Sequence, residues 1–369
     1  MIKKKKSKIQ QLQEETQAAI NKTNEHIDNL GKATSSLYTE LCNIQEVFDE
    51  IRNVPNEKKL QYEELKQIRL NWKQQVDKIE KDYNAAVAKK AGVGAAGAGI
   101  GVAVVAFGPT VAMGVATTFG VASTGTAIAA LHGAAATNAA LAWLGGGTLL
   151  AGGGGMAAGK ALLALAGPVG WAIAGVALVA SGIFIWKSHS DKKHLEDIFT
   201  LISKRDITSY ESAIVELNER IERINIESIN LHEAIDDIKT FGLDYNSMTE
   251  SQQYTLGAYV NLMFASTQLL VNPIAGLLPK YTEEDFDVFI SYSNDARETQ
   301  WYLDNKLMIV SLSNLLYKIE INDRDKKLLW KSFKKNKKML EYFSIKKKDF
   351  SIKYIDTVIE ALNYKYTCK

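Results

Sequence analysis

"GGGGMAAGKALLA", residues 152–164, decides what kind of chain this is. Read as a phosphate cradle, Gly154, Gly159 and Lys160 have the spacing G-x-x-x-x-G-K. Such a cradle needs backbone N–H groups converging on an anion, a lysine on the outer phosphates, and a Ser or Thr after it to hold Mg²⁺. Here Ala161 follows Lys160, and "LAWLGGGTLLAG" before it has no Val or Ile to build the required strand. No apolar strand ending in Asp follows within the next hundred residues either. Without that context the motif does not carry nucleotide chemistry, and the stretch reads as a small-residue apolar segment holding one lysine.

The segment belongs to a larger block. Residues 91–186 contain 22 of the 26 glycines and a single formal charge, Lys160. Nearly all other charge lies outside, so the overall net of +2 conceals a charged–apolar–charged partition. A bilayer-crossing helix needs about 20 apolar residues. Both 91–122 and 161–186 exceed that, and the middle, with Ser, Thr, His132 and Asn138, is more polar. Lys89 and Lys90 precede the block and Lys187, Lys192 and Lys193 follow it, which predicts both ends on one cytoplasmic side and an even number of crossings. Trp171 and Trp186 are placed for the interfaces, while Pro109 and Pro168, each after a glycine, mark breaks that open new helices. Gly97/Gly101 and Gly155/Gly159 are G-x-x-x-G pairs that let helices approach closely. Ala and Gly insert weakly, which suits a segment that changes environment better than a permanent anchor.

The flanks read as long helices. Leu37, Leu41, Ile44, Val47, Ile51 and Val54 recur at steps of three and four up to Pro55, and Leu65, Ile68, Trp72, Val76, Ile79 and Tyr83 resume the stripe. That is a helical hairpin or coiled-coil arm turning near Pro55. After the block, Ile207, Tyr210, Ile214, Leu217, Ile221 and Ile224 form a second arm, continued by Ile235, Ile238 and Phe241 toward a C-capping Gly242. Two cysteines, Cys42 and Cys368, do not make a disulfide framework. The basic start "MIKKKKSKIQQLQEE" has no apolar stretch behind it and does not read as a signal peptide.

The order arm, Gly/Ala-rich hairpin, arm resembles the apolipoprotein L family and its bacterial relatives. "GGGGMAAGKALLALAGPVGWAIAG" is similar to the glycine-rich insertion segment of those proteins, and the arrangement also resembles α-helical pore-forming toxins of the cytolysin A type. The resemblance implies membrane permeabilisation and carries over no catalytic residue.

"FDVFISYS", 286–293, resembles the opening strand of a TIR domain, a family that implies NAD cleavage or signalling. The 76 residues after Ser293 do not show its alternating strands and helices and read as helices, with Leu303, Leu307, Val310 and Asn314 on one face. Residues 318–369 hold 15 Lys plus Arg against 7 Asp plus Glu. There "KKLLWKSFKKNKKMLEYFSIKKKDF" interleaves lysines with Trp330, Phe333, Met339, Leu340, Tyr342 and Phe343, a mixture suited to an anionic membrane surface. One arginine, Arg324, in that stretch argues against nucleic acid, which favours the guanidinium fork.

The sequence thus predicts an all-α protein: an N-terminal helical arm (1–90), a Gly/Ala-rich insertion region (91–186), a second helical arm (187–279) and a basic helical C-terminal domain (280–369). The expected activity is permeabilisation of a bilayer by an oligomer, as a toxin or cell-suicide effector. The alternatives are a membrane-anchored scaffold and, third, a TIR-type enzyme. No catalytic, cofactor-binding or metal-ligating residue is predicted. Gly97, Gly101, Pro109, Gly155, Gly159, Lys160, Pro168, Trp171 and Trp186 are the expected insertion residues, and Lys331, Lys334, Lys335, Lys337 and Lys338 the expected anionic-surface contacts. The expected partners are an anionic bilayer, further copies of the chain and a regulatory protein, with no nucleic acid. The expected location is the cytoplasm when soluble and the inner membrane when inserted.

Overall fold

Apolar stripes at helical spacing, with Gln, Glu, Lys and Asn between them and little glycine outside the central block, make long helices the favoured local structure. The structure, a computed structural model, describes residues 8–91, 109–119, 189–291, 296–335, 339–340 and 343–367. Its fold is all-α, as the stripes predict, and among the described residues β-type pairing amounts to one isolated bridge, Arg52 with Asp244.

Helix α1 (Lys8–Glu50) and helix α2 (Asn56–Ala91) flank the turn around Pro55, where the Pro55 carbonyl accepts from Lys58 N and Lys59 N at 3.0 Å each. Proline cannot continue α1, but its carbonyl starts α2. The two helices run antiparallel. Phe48 meets Tyr62 and Tyr38 meets Trp72, with ring centroids 5.3 and 5.4 Å apart. Helix α3 (Pro109–Phe119) follows in the apolar block, and then the 51-residue α4 (His189–Lys239). Helix α4 runs parallel to α1, so their C-terminal ends meet. There Arg52 N donates to Leu243 O (2.9 Å) and Tyr245 N donates to Arg52 O (3.0 Å). Gly242 takes φ 82°, the left-handed value that ends a helix, at the position the sequence predicts. A capping box between Thr249 and Gln252 opens α5 (Glu250–Val271), which returns antiparallel to α4, with Arg220 donating to Leu269 O (2.9 Å) and Asn272 O (2.8 Å).

Helices α1, α2, α4 and α5 enclose one core, and α3 contributes Ala112, Met113, Val115 and Ala116 to it. The predicted stripes point inward: Leu37, Leu41, Ile44, Trp72, Val76, Leu217 and Ile224 are fully buried.

The C-terminal part forms a second core from α6 (Glu283–Ser291), α7 (Ala296–Leu316), α8 (Asp323–Lys335) and α9 (Lys353–Thr367). It also takes Leu195, Ile198, Phe199 and Ile202 from the start of α4. The second arm therefore does not belong to one unit: its first turns serve the C-terminal core and residues 210–238 serve the bundle. The segment likened to a TIR strand is helix α6. Thr282 and Asp285 cap each other's backbone N–H groups (2.9 and 3.1 Å), and Phe286 and Ile290 face the core at a helical step of four. The strand which that likeness implies is not formed over residues 286–291.

Candidate functional site

Helix α3 lies within the apolar block, and the bundle holds it. Pro109 stands at its first position, where a missing N–H costs nothing and φ is already helical. The side chains from Ala112 to Thr118 are all buried, and Thr110 at its start is half-buried. A helix apolar on all sides belongs inside a protein or inside a bilayer. Here α1, α2 and α5 surround it.

The closest approach is glycine on glycine. A Cβ placed on Gly31 of α1 would stand 1.8 Å from the Thr110 carbonyl oxygen, and one on Gly114 of α3 would stand 2.2 Å from the Ile27 carbonyl oxygen. No side chain fits at either position, so the two backbones touch directly. Thr118 Oγ1 donates to the Gly114 carbonyl (2.7 Å), while the Thr118 carbonyl accepts from Ile274 N (2.6 Å), tying the end of α3 to the chain just after α5. Thr117 Oγ1 and, on α1, Thr34 Oγ1 are buried with no hydrogen-bond partner. An unmade bond of that kind costs on the order of 1 kcal/mol or more, so the seat of α3 is tightly fitted in shape and incompletely satisfied in polarity.

A buried cation lies between α1, α2 and α5. The Arg69 guanidinium donates to Gln45 Oε1 (2.6 Å) and reaches Thr267 Oγ1 at 3.5 Å. Gln45 Nε2 in turn donates to Asp49 Oδ1 (2.9 Å), whose other oxygen pairs with Lys66 (2.9 Å). Asp49 thus stabilises Arg69 through an amide relay rather than by contact. Burial lowers the Arg69 pKa, opposed by the Cys42, Tyr38 and Asp49 charges. Burial, with the neighbouring Cys42, pushes the Tyr38 hydroxyl up to about 12.

The basic surface lies on α8. Lys331 and Lys335 are exposed, and Lys334 lies over the Trp330 ring, 4.9 Å from its centroid. Most of the described apolar residues interleaved with them turn inward. Phe333, Met339 and Leu340 are core residues, and the Trp330 indole N–H donates to the Phe350 carbonyl (3.1 Å). The lysines therefore form an electrostatic face in which Trp330, half-buried under Lys334, is the described aromatic in contact with them. The helix begins with Asn322 capping Arg324 N (2.9 Å) and Asp325 N (3.0 Å), and the buried Asp325 carboxylate bonds His194 of α4.

Of the expected insertion residues, Pro109 is placed on α3. Gly97, Gly101, Gly155, Gly159, Lys160, Pro168, Trp171 and Trp186 lie outside the described residues, as do Lys337 and Lys338. The residues that hold α3, Gly31, Gly114 and Thr118, are not among the predicted ones. Gly31 carries a faint sequence signal as the single glycine of α1. Among the described residues no group of three His, Cys, Asp or Glu side chains could hold a metal ion. Among the described residues one helical stretch, Glu250–Leu277, is long and apolar enough to cross a membrane, and 44% of its apolar window is buried in the bundle. No protein-family model matches the chain, and no curated protein and no solved structure matches it at a significant level.

Proposed function

We propose that the protein is membrane-active: the helical arms hold an apolar region away from water, and that region enters a bilayer and permeabilises it as an oligomer. The observation that carries this reading is α3, an uncharged, mainly apolar helix from the 91–186 block, buried from Ala112 to Thr118 and held against Gly31 by direct backbone contact. Small residues at a helix crossing allow dense packing in a bundle and in lipid alike, so one segment can exchange one set of helix neighbours for another. The unpartnered Thr117 and Thr34 hydroxyls lower the loss on leaving the seat. The exposed lysines of α8 supply attraction to an anionic surface before insertion.

The test uses the full chain with anionic vesicles, reading flotation and dye release together. Binding with release is expected. Absence of flotation removes the membrane reading. Gly155→Leu with Gly159→Leu separates a pore from an anchored scaffold. Extra leucines preserve flotation while added bulk blocks close helix packing, so a pore loses release and a scaffold loses nothing.

A further inference from the structure

Residues 251–279 contain no Asp, Glu, Lys, Arg or His, an uncharged run that lies outside the 91–186 block. Helix α5 fills most of it, and its 22 residues span about 33 Å, close to the hydrocarbon thickness of a bilayer. Its inner side packs into the bundle through Leu256, Val260, Met263 and Leu270. Its outer side is Ser251, Tyr254, Ala258, Asn261 and Ala265, at steps of three, four, three and four, with Phe264 beside them. Tyr254 is 83% exposed and Phe264 54%, and a Cβ on Gly257 would meet nothing within 4 Å. Among the described residues, then, nothing covers this stripe.

The other long helices of the bundle turn charge outward: Lys22 and Lys32 on α1, Glu64 and Lys78 on α2, Glu219 and Arg223 on α4 are all exposed. Bringing any of those faces against hydrocarbon strips water from ions, which is costly. The outer side of α5 past Glu250 carries no such cost. It is also the side that stands over the buried segment. Helix α5 is one of the three helices around α3, and the Thr118 carbonyl at the end of α3 accepts from Ile274 N just past α5 (2.6 Å). Polar ties on the inner side of α5 are loose. The Ser266 hydroxyl is buried with no partner, and Arg69 reaches the Thr267 hydroxyl only at 3.5 Å.

We propose that the outer side of α5, from Ser251 to Ala265, is the surface that the folded protein lays on a bilayer, and that α3 reaches lipid past this helix rather than past α1 or α2. This surface rests on the membrane reading above and names where contact is made. Tyr254 and Phe264 enter the boundary between headgroups and acyl chains, where aromatic rings are favoured, and Ser251 and Asn261 keep their hydrogen bonds with interfacial water. The occupant is a bilayer because the uncharged run continues beyond the helix as far as Pro279 and matches a bilayer in length, which a protein partner does not require. The contact differs in kind from that of the α8 lysines. Theirs is electrostatic and is screened by salt, whereas an uncharged face keeps its attraction when salt is added.

The test floats the full chain on vesicles of mixed phosphatidylcholine and phosphatidylglycerol at low salt and at about 1 M salt, where screening acts within about 3 Å. Wild type should keep part of its flotation at high salt. Tyr254→Glu with Phe264→Glu should lower that salt-resistant partition about tenfold or more, because two carboxylates now face the acyl boundary. Val215→Glu with Ile226→Glu adds the same charge at exposed apolar positions of α4 and should leave it unchanged. Tyr254 is almost wholly exposed, so Tyr254→Glu alone keeps the test readable if Phe264→Glu disturbs the bundle, and it should give a several-fold fall. Salt-resistant flotation that is equal in wild type and the α5 variants, or equally reduced in the α4 control, overturns the proposal while the membrane reading stands. Wild-type flotation lost entirely at high salt also overturns it and leaves the contact to the α8 lysines. No flotation at either salt removes the membrane reading and this surface together. A wild-type dimer that becomes a monomer in the α5 variant, with flotation unchanged, assigns the face to a second copy and overturns the bilayer as its occupant.

Discussion

The two cores that share α4 fill themselves differently. The C-terminal core stacks aromatics: Phe350 on Tyr354 at 4.7 Å, Trp301 against Tyr354 at 5.0 Å, and Phe286, Phe289 and Tyr302 within about 6 Å of one another. Its buried amide, Asn314, is fully used, accepting from Lys280 N and Tyr281 N and donating to the Tyr281 and Val310 carbonyls. The bundle is built from smaller pieces. Around α3 it buries Gly31, Gly114, Thr34, Thr117, Ser266 and Thr267, and leaves several of their hydroxyls without partners. Aromatic pairs give one deep, specific arrangement. Small-residue crossings give close fit with little side-chain interlock, so the seat of α3 depends on two glycines where the other core depends on many rings.

The largest expected effect breaks that seat. Gly31→Ala puts a methyl where only 1.8 Å separates it from the Thr110 carbonyl oxygen, and backbone cannot yield as a flexible side chain does. Stability of the bundle should fall by about 3 kcal/mol, the upper range for overpacking, as read from urea unfolding. On the membrane reading the displaced α3 should also raise vesicle flotation. A Gly31→Ala chain as stable as wild type would mean that α3 does not occupy this seat in solution. The C-terminal core should be unaffected, so amide exchange across α7 and α9 should be unchanged.

The second effect is at the joint itself. Asp206 of α4 is 1% exposed, and burial, opposed by Arg205, raises its pKa from 3.8 to about 6. The folded state therefore binds this proton more tightly than the unfolded chain. The resulting stabilisation is complete below pH 3.8 and is lost as pH rises through 6, a difference of about 3 kcal/mol by linkage. Asp206→Asn should remove this group's share of the pH dependence. It should stabilise the protein at pH 8 by about 2 kcal/mol, somewhat less than the full difference because the amide is itself a polar group buried at this position. Urea midpoints at pH 5 and pH 8 decide it. A variant less stable than wild type at pH 8 would show that the ion pair outweighs the burial.

How much of this was legible follows from what periodicity encodes. The stripes through Leu37–Val54, Leu65–Ile79 and Ile207–Ile224 marked the arms because a buried helix face repeats every three or four residues. Gly242 was readable as a helix end because a left-handed residue after a stripe is a local signal. The crossing of Gly31 with Gly114 was not readable, since each glycine is unremarkable beside its own neighbours and only tertiary approach gives it meaning. Arg69 follows Ile68 directly, and nothing local marks it as buried; the Gln45 relay that holds it inside comes from another helix. The aromatics around Lys331 were read as facing outward with the lysines. Phe333 and Leu340 instead complete a core whose other half lies on α4, α7 and α9, information that a local window does not contain.

A smaller effect concerns the electrostatic face that the C-terminal core presents. Replacing Lys331, Lys334 and Lys335 together by Gln should weaken binding to anionic vesicles by about 1 kcal/mol per lysine at low salt, with the difference shrinking as salt is added. Stability should change by less than about 1 kcal/mol, since exposed charges and the Lys334–Trp330 contact contribute little. Flotation at two salt concentrations measures it. Equal, salt-independent binding of wild type and variant would remove α8 from any membrane contact.

The smallest expected effect repeats the first substitution where the packing differs. Gly257 lies within α5, and a Cβ there meets nothing within 4 Å. No positive φ requires a glycine at this position. Gly257→Ala therefore adds helix propensity without crowding and should stabilise the bundle by about 1 kcal/mol or slightly less. The same methyl is thus expected to act with opposite sign at two glycines of one bundle. The sign is set by what stands opposite: the Thr110 carbonyl at Gly31 and open space at Gly257. Both variants belong in one urea series beside wild type. If Gly257→Ala destabilises as Gly31→Ala does, the glycines of the bundle matter for backbone flexibility rather than for the α3 contact. If only Gly31→Ala destabilises, the loss is assigned to that single crossing, and the contrast between a small-residue seat and an aromatic core holds at the level of one atom.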